Sequence, residues 1–332
     1  MSVYRSETAQ HLEKALLSVW DDQTLRPDEI VLVQDGPLGE DLSRVISSWK
    51  EKLADSLVIL INKTNLGLTK SLNKAISTAK GEYLARMDTD DISTPRRFEL
   101  QKKFLDAHPD VSVLGGAIQE FDDINPCLGV RHYPATNAEA LHWIHKGNPM
   151  AHSTVMIRRS LFEEGYLYNE NFRKNQDLEL WFRILANGKK IANLPDILVH
   201  FRRDRGVFAR RGKKSAIMEF QIYCKGIKEL NGVVSPKYLF PMARLAFRLM
   251  PKSISKWAYN SSARTAILEK DLKIQSTPDR RRKRIASKKN HSSRKKSSEF
   301  KASNSLHTRS HRGKNTLRRR NNSTYNKFKH KR

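Results

Sequence analysis

Three carboxylates fall within four residues at Asp88-Thr89-Asp90-Asp91, directly after Tyr83-Leu84-Ala85-Arg86-Met87 and just before Ile92-Ser93-Thr94-Pro95. Like charges this close repel, and a folded chain gathers them at a strand end at a cost unless a cation offsets it. A hard divalent ion, Mg2+ or Mn2+, sharing oxygen ligands with a diphosphate would resolve the repulsion. The competing reading is a solvated helix start, capped by Asp91 or Ser93 and opened by Pro95. The position of the cluster, opposite Asp35 and Asn62 along one sheet edge, favours the metal.

Asp35 follows Val31-Leu32-Val33-Gln34 and precedes Gly36-Pro37. Its carboxylate can accept a hydrogen bond from a nucleobase N–H, and an ordinary turn aspartate has the same local sequence. The loop Asn62-Lys63-Thr64-Asn65-Leu66-Gly67 offers amides, a glycine and a cation suited to base, ribose or phosphate. Asp177, after Asn175-Gln176, opens an apolar helix. It is either a rigidly held general base or a helix-start carboxylate favoured by the dipole, and the stretch alone does not decide. His152 can face an acceptor or a phosphate, against the commoner role of a structural hydrogen-bonder. His200, Arg202, Arg203, Arg210 and Arg211 form a stretch that clamps a diphosphate or is a solvated basic loop.

These residues need a scaffold, and the first half of the chain alternates helix and strand patterns. Residues 9–20 set Leu12, Ala15, Leu16 and Val19 on one helical stripe, and residues 29–34 form a buried strand ending at Asp35. A helix over 41–50 inward at Leu42, Val45, Ile46 and Trp49, a strand over 57–61, a helix over 69–79 and a short strand over 83–87 follow. The pattern predicts an α/β fold with a mostly parallel sheet flanked by helices, and ligands bound beyond the carboxyl ends of its strands. Further strands are expected at 111–115 and 154–157, and a helix at 176–186 with Leu178, Trp181, Phe182 and Leu185 inward.

Charge is distributed unevenly. The 332 residues carry a formal +27, of which residues 277–332 supply +19 from 21 basic and 2 acidic residues, leaving +8 for the rest. That end is rich in Ser, Asn, Lys, Arg and His without periodicity and is expected to be a disordered basic tail. The expected organisation is a catalytic domain over 1–215, a helical segment over 216–276 and the tail. Residues 236–257 interleave apolar and aromatic side chains with cations only, the pattern of a helix resting on anionic lipid or of a basic C-terminal helix packed on the domain. Pro241 and Pro251 predict broken helical pieces. Two cysteines 97 positions apart, with no apolar run of membrane-spanning length, point to a cytoplasmic chain, with peripheral attachment to the inner face of the cytoplasmic membrane as an option.

Taken together and in order, these segments resemble the family-2 inverting glycosyltransferases of the GT-A fold, of the type that builds bacterial capsules, exopolysaccharide and lipopolysaccharide. The matching pieces are Met1-Ser2-Val3-Tyr4, Ser18-Val19-Trp20 with Pro27-Asp28-Glu29-Ile30, Asn65-Leu66-Gly67-Leu68 with Leu72-Asn73, residues 81–93, residues 95–101, residues 148–156 and residues 176–183. The resemblance covers roughly residues 1–215. It implies a nucleotide-sugar donor, a UDP-sugar or a relative of one, bound through Asp35, Asn62, Asn65, Asp88, Asp90 and Arg202, with Asp88 and Asp90 as ligands to Mg2+ or Mn2+ and Asp177 as the base. It also implies a glycan or polyprenyl-diphosphate-linked acceptor. The family's acidic pair at the last site is here Gln176-Asp177, so only the aspartate can take a proton. The family's first strand has several apolar residues before the equivalent of Ser2-Val3-Tyr4. An upstream start or an impaired product is expected from that difference. Two rival functions remain: a nucleic-acid or polyanion binder acting through the basic tail, and a non-catalytic nucleotide-sugar binder. Sparse aromatic interleaving (Phe300, Tyr325, Phe328) limits the tail to non-specific attraction of nucleic acid.

Overall fold

The computed structural model describes residues 1–203 and 213–249. Thr8 caps the first helix by accepting from the His11 amide, and α1 (Ala9–Val19) buries the expected stripe Leu12, Ala15, Leu16 and Val19. β2 (Ile30–Asp35) lies parallel to both β1 (Ser2–Val3) and β3 (Leu57–Asn62), forming a sheet of order β1-β2-β3. Between them α2 (Glu40–Leu53) carries Glu40 and Asp41 in its first turn and Lys50 and Lys52 in its last, each sign at the end the helix dipole favours. The α-amino group of Met1 donates to the Val31 carbonyl at 2.9 Å, and burial lowers its pKa to about 5.

The chain continues through α3 (Leu68–Thr78), β4 (Tyr83–Ala85), β5 (Ile92–Ser93), α4 (Arg97–Ala107), β6 (Val111–Phe121), β7 (Gly129–Arg131) and α5 (Asn137–Trp143). Next come β8 (Met156–Arg158), α6 (Arg159–Glu163), α7 (Gln176–Ala186), β9 (Lys190–Arg202), α8 (Lys213–Asn231) and α9 (Leu239–Leu249). Strands β4-β8-β6-β9-β5 form a second sheet, with β7 on β6.

The first sheet is parallel throughout, as expected, whereas the second is mixed. Parallel pairing is confined to β1·β2, β2·β3 and β6·β9, while β4·β8, β5·β9, β6·β7 and β6·β8 are antiparallel. A parallel neighbour needs a long crossover, which α5 to α7 provide between β6 and β9, whereas the short return from β6 to β7 permits only an antiparallel partner. Local differences follow from similar causes. Residues 152–154 form a 3-10 turn, so the strand expected at 154–157 begins at Met156. Ile92-Ser93 pairs with β9 before the chain turns, so the helix after Pro95 begins at Arg97. His200 and Arg202 belong to strand β9 rather than to a loop. Arg210, Arg211 and the basic tail lie outside the described residues.

One core cluster joins β1, β2, α1 and α2 through Val3, Leu12, Leu16, Leu32, Ile46 and Trp49. A second joins α5, α7 and α8 through Ile144, Trp181, Phe182, Tyr223 and Ile227. Gly226 lets α8 approach α7 closely, since a Cβ there would sit 2.1 Å from the Phe182 ring. Of the expected segment 216–276, residues 216–249 are described as α8, a 3-10 turn over Pro236–Tyr238 and α9. Pro241 sits in the first turn of α9, where a missing amide hydrogen costs nothing. No helix among the described residues is long and apolar enough to cross a membrane.

Candidate active site

Arg86, one residue past β4, is buried, and its two terminal nitrogens each donate to one oxygen of Asp88. Its backbone amide donates to the Val155 carbonyl at 2.9 Å. Behind it Arg97, in the first turn of α4, is fully buried and donates to the Arg86 carbonyl at 2.7 Å, to Gln101 at 3.1 Å and to the Met87 sulfur at 3.2 Å. Burial drives the Arg97 pKa down to about 9, with the neighbouring Arg86 charge acting the same way. A buried cation thus props the backbone that leads into the acidic cluster.

Within that cluster Asp91 is buried and accepts the Arg202 amide through Oδ1 at 2.8 Å, while its Oδ2 has no hydrogen-bond partner. Arg202 Nε also donates to the Asp90 carbonyl at 3.0 Å, and its guanidinium pairs with Asp123 at 2.5 Å. Burial, then the Asp88 charge, raises the Asp90 pKa to about 6 and pushes Asp91 well above the usual carboxylate range. One carboxylate oxygen from each of Asp88, Asp90 and Asp91 lies within 4.8 Å of the others. Hard oxygen donors, an orphaned buried Asp91 oxygen and charge that burial disfavours together fit a divalent cation such as Mg2+ or Mn2+.

Asp35, at the end of β2, is buried and spends its carboxylate on the next loop. Oδ1 accepts from Asn62 Nδ2 at 3.0 Å and the Leu66 amide at 2.8 Å, and Oδ2 accepts from the Gly67 amide at 2.9 Å. Asn62 in turn accepts from Lys74 at 2.9 Å, and Asn65 donates to the Asp35 carbonyl at 3.4 Å. Gly36 has φ +92°, and a Cβ there would meet the Asn65 amide nitrogen at 2.9 Å. Gly36→Ala is expected to lower stability by about 1–3 kcal/mol, since left-handed strain adds to this contact. Chemical denaturation measures it, and an unchanged midpoint would contradict the packing described.

Asp177 follows Asn175, a non-glycine residue at φ 56°, a left-handed conformation that starts α7 abruptly. Its Oδ2 accepts from Asn148 Nδ2 at 2.5 Å. Burial raises its pKa, while the Leu178 amide and Asn148 oppose the shift. His152 Nε2 lies 2.7 Å from the Tyr168 hydroxyl, and burial together with the Arg86 charge keeps the ring neutral. The indole nitrogen of Trp181, edge-on to His152, is buried without a partner.

One field joins these groups: the Arg86 charge acts on Asp88, Asp90, Asp91, His152, Tyr168 and Asp177. The Asp35 loop forms a second patch. Helix α3 ties it to the first, because Thr69 bonds the Phe172 carbonyl at 2.8 Å and Asn73 bonds the Tyr168 backbone at both ends, 2.9 and 3.0 Å. Sequence reasoning passed over Arg86, Arg97, Asn148 and Tyr168. The available signal was an arginine inside an otherwise apolar strand run ahead of three carboxylates.

Comparison with known proteins agrees with this architecture. The family model "Glycosyl transferase family 2" matches residues 1–166. The chain is 35% identical over 261 residues to the amylovoran biosynthesis glycosyltransferase AmsE of Erwinia amylovora, covering 78% of this chain and 96% of that one. It is 27% identical over 268 residues to the UDP-Gal:alpha-D-GlcNAc-diphosphoundecaprenol beta-1,3-galactosyltransferase of Escherichia coli, covering 80% and 95%. In fold it matches S. aureus TarS 1-349 in complex with UDP-GlcNAc, with TM-score 0.53, 20% identity and coverage of 75% and 70%. It likewise matches a Pyrobaculum calidifontis mannosyltransferase in complex with GDP-Man and Mn2+, with TM-score 0.53, 18% identity and coverage of 84% and 81%. The chain belongs to glycosyl transferase family 2 and is a nucleotide-sugar-dependent glycosyltransferase of α/β, GT-A-like fold.

Proposed function

We propose that the chain transfers a sugar from a UDP-sugar, with inversion, to a growing surface-polysaccharide glycan carried on a lipid diphosphate. The observation that carries the donor side is the convergence of Asp88, Asp90 and Asp91 oxygens within 4.8 Å, in a cluster where Asp91 Oδ2 is buried without a partner. A divalent ion held by Asp88 and Asp90 would supply charge neutralisation for the departing nucleoside diphosphate. Asp35, Asn62 and Asn65 hold the base and ribose end, with the Asp35 carboxylate ordering the loop that meets them. Arg202 fixes the Asp90-Asp91 turn and faces the diphosphate end.

Asp177 accepts the proton of the acceptor hydroxyl as that oxygen attacks the anomeric carbon from the side opposite the leaving group. Asn148 orients the carboxylate, and the start of α7 holds it still. Neutral His152, paired with Tyr168, borders the acceptor side. The lipid diphosphate is supported by the acceptor named for the E. coli relative, and UDP by the donors named for that relative and for the TarS complex.

The test is a panel of UDP- and GDP-sugars with Mn2+, scored for nucleoside diphosphate release with and without a lipid-diphosphate-linked sugar. Release from a UDP-sugar, stimulated by the acceptor and abolished by chelation, is expected. Release that is insensitive to chelation would overturn the metal-assisted reading.

A further inference from the structure

Helix α9 is amphipathic the wrong way round for a helix in water. It packs on α8, with Pro241 buried and Leu245 half-buried on its inward side. Both of its arginines turn to that side: Arg244 bonds the Tyr223 hydroxyl at 2.9 Å and pairs with Glu219 at 3.4 Å, and Arg248 pairs with the same Glu219. The opposite side presents Leu239, Met242, Ala243, Ala246, Phe247 and Leu249, all exposed and none polar. A surface helix normally puts its polar face outward. The turn before it adds Val233 and Val234, the latter 94% exposed, beyond Gly232 at φ +81°.

We propose that this face rests on an anionic phospholipid bilayer, with Val233-Val234 and the outward side of α9 entering the headgroup region. Charge selects that occupant. Residues 213–249 hold seven Lys and Arg against two Glu, and the whole chain carries +27, which repels a second copy and attracts an anionic surface. In the chain Lys228 and Lys237 bracket Val233-Val234, cations on either side of an apolar turn as expected of an interfacial segment.

Position links the surface to the site. Phe240, in the first turn of α9, packs on His145 with ring centroids 5.0 Å apart, and Lys146 lies 5.6 Å over the same ring. His145 stands three residues before Asn148, whose amide holds Asp177. The bilayer would then lie on the base side of the site, where a lipid-borne acceptor must arrive. The inference rests on the reading of a lipid-linked acceptor and assigns the surface that meets its membrane.

The test is co-sedimentation of the full chain with phosphatidylglycerol or phosphatidylcholine vesicles, at physiological and at high salt, for wild type and the double variant Met242→Asp/Phe247→Asp. Wild type is expected to bind phosphatidylglycerol preferentially. The double variant is expected to bind on the order of tenfold more weakly, with an unchanged melting temperature and unchanged nucleoside diphosphate release in solution. Equal vesicle binding by the two proteins would overturn the proposal, because basic residues elsewhere would then carry the attraction. A wild-type dimer that the double variant dissolves, without vesicle binding by either, would overturn it in favour of a self-interface. Should the wild type bind vesicles in this manner yet release no nucleoside diphosphate from any donor, the surface assignment would stand and the enzymatic reading would fall. The milder pair Met242→Ala/Phe247→Ala, expected to weaken binding less, decides the matter if the charged variant does not fold.

Discussion

Replacing Asp90 with alanine is expected to lower nucleoside diphosphate release by on the order of a hundredfold to a thousandfold at saturating Mn2+, because a metal's charge stabilisation is worth several kcal/mol. The stability of the metal-free protein should move the other way. Burial and the Asp88 charge raise the Asp90 pKa from 3.8 to about 6. Between those two values the folded chain binds a proton that the unfolded chain has released, so stability falls as pH rises through that window. Ionised Asp90 therefore costs stability at neutral pH in the absence of a cation, and Asp90→Ala should melt no lower than wild type in chelator. Mn2+ should raise the wild-type melting temperature at neutral pH, and less so at pH values below the raised pKa. A variant that loses activity and stability together would point to misfolding rather than to lost metal binding. Calorimetry with and without Mn2+ distinguishes the two.

Asp177→Asn should cost about a hundredfold to ten-thousandfold in acceptor-dependent turnover, the usual contribution of a positioned base. Donor binding should be retained, since nothing in the Asp35 loop depends on Asp177. The amide is nearly isosteric, so the contact with Asn148 and the start of α7 survive in altered form. In wild type the working form of Asp177 is the ionised one, and burial raises its pKa above the ordinary aspartate range. The turnover rate should therefore decline as pH falls through that raised value, with a plateau above it, and the variant's residual rate should lack the inflection. A pH profile of kcat for both proteins measures this. An Asp177→Asn enzyme of near wild-type rate would remove Asp177 from the proton transfer.

Local patterns made much of this legible. Leu12, Ala15, Leu16 and Val19 are buried as their spacing requires, because one helical face has one core to meet. The Asp88-Asp91 cluster and Asp177 could be picked out because carboxylates at strand and helix ends are costly and their chemistry is narrow. Pairing direction was not legible. β4, β5 and β8 hold two or three residues each, too short for a pattern; β5 pairs with a long β9 whose Pro195 disguises it, and β8 lies between β4 and β6. Partnership across the fold was equally hidden: Asn148 reaches Asp177 over 29 positions and Arg202 reaches Asp91 over 111. The outward apolar face of α9 was half visible. Residues and cations could be counted, but only the pairing of Arg244 and Arg248 with Glu219 shows that the cations face inward.

The central claim is that Asp88 and Asp90 present their oxygens to one divalent ion beside a nucleoside diphosphate. Anomalous diffraction from a crystal soaked with UDP and Mn2+ tests it most directly. The account predicts a manganese peak in contact with both carboxylates and with diphosphate oxygens, with the uracil against the Asp35 loop. UDP bound elsewhere, or bound there with no manganese between it and the two aspartates, would contradict it.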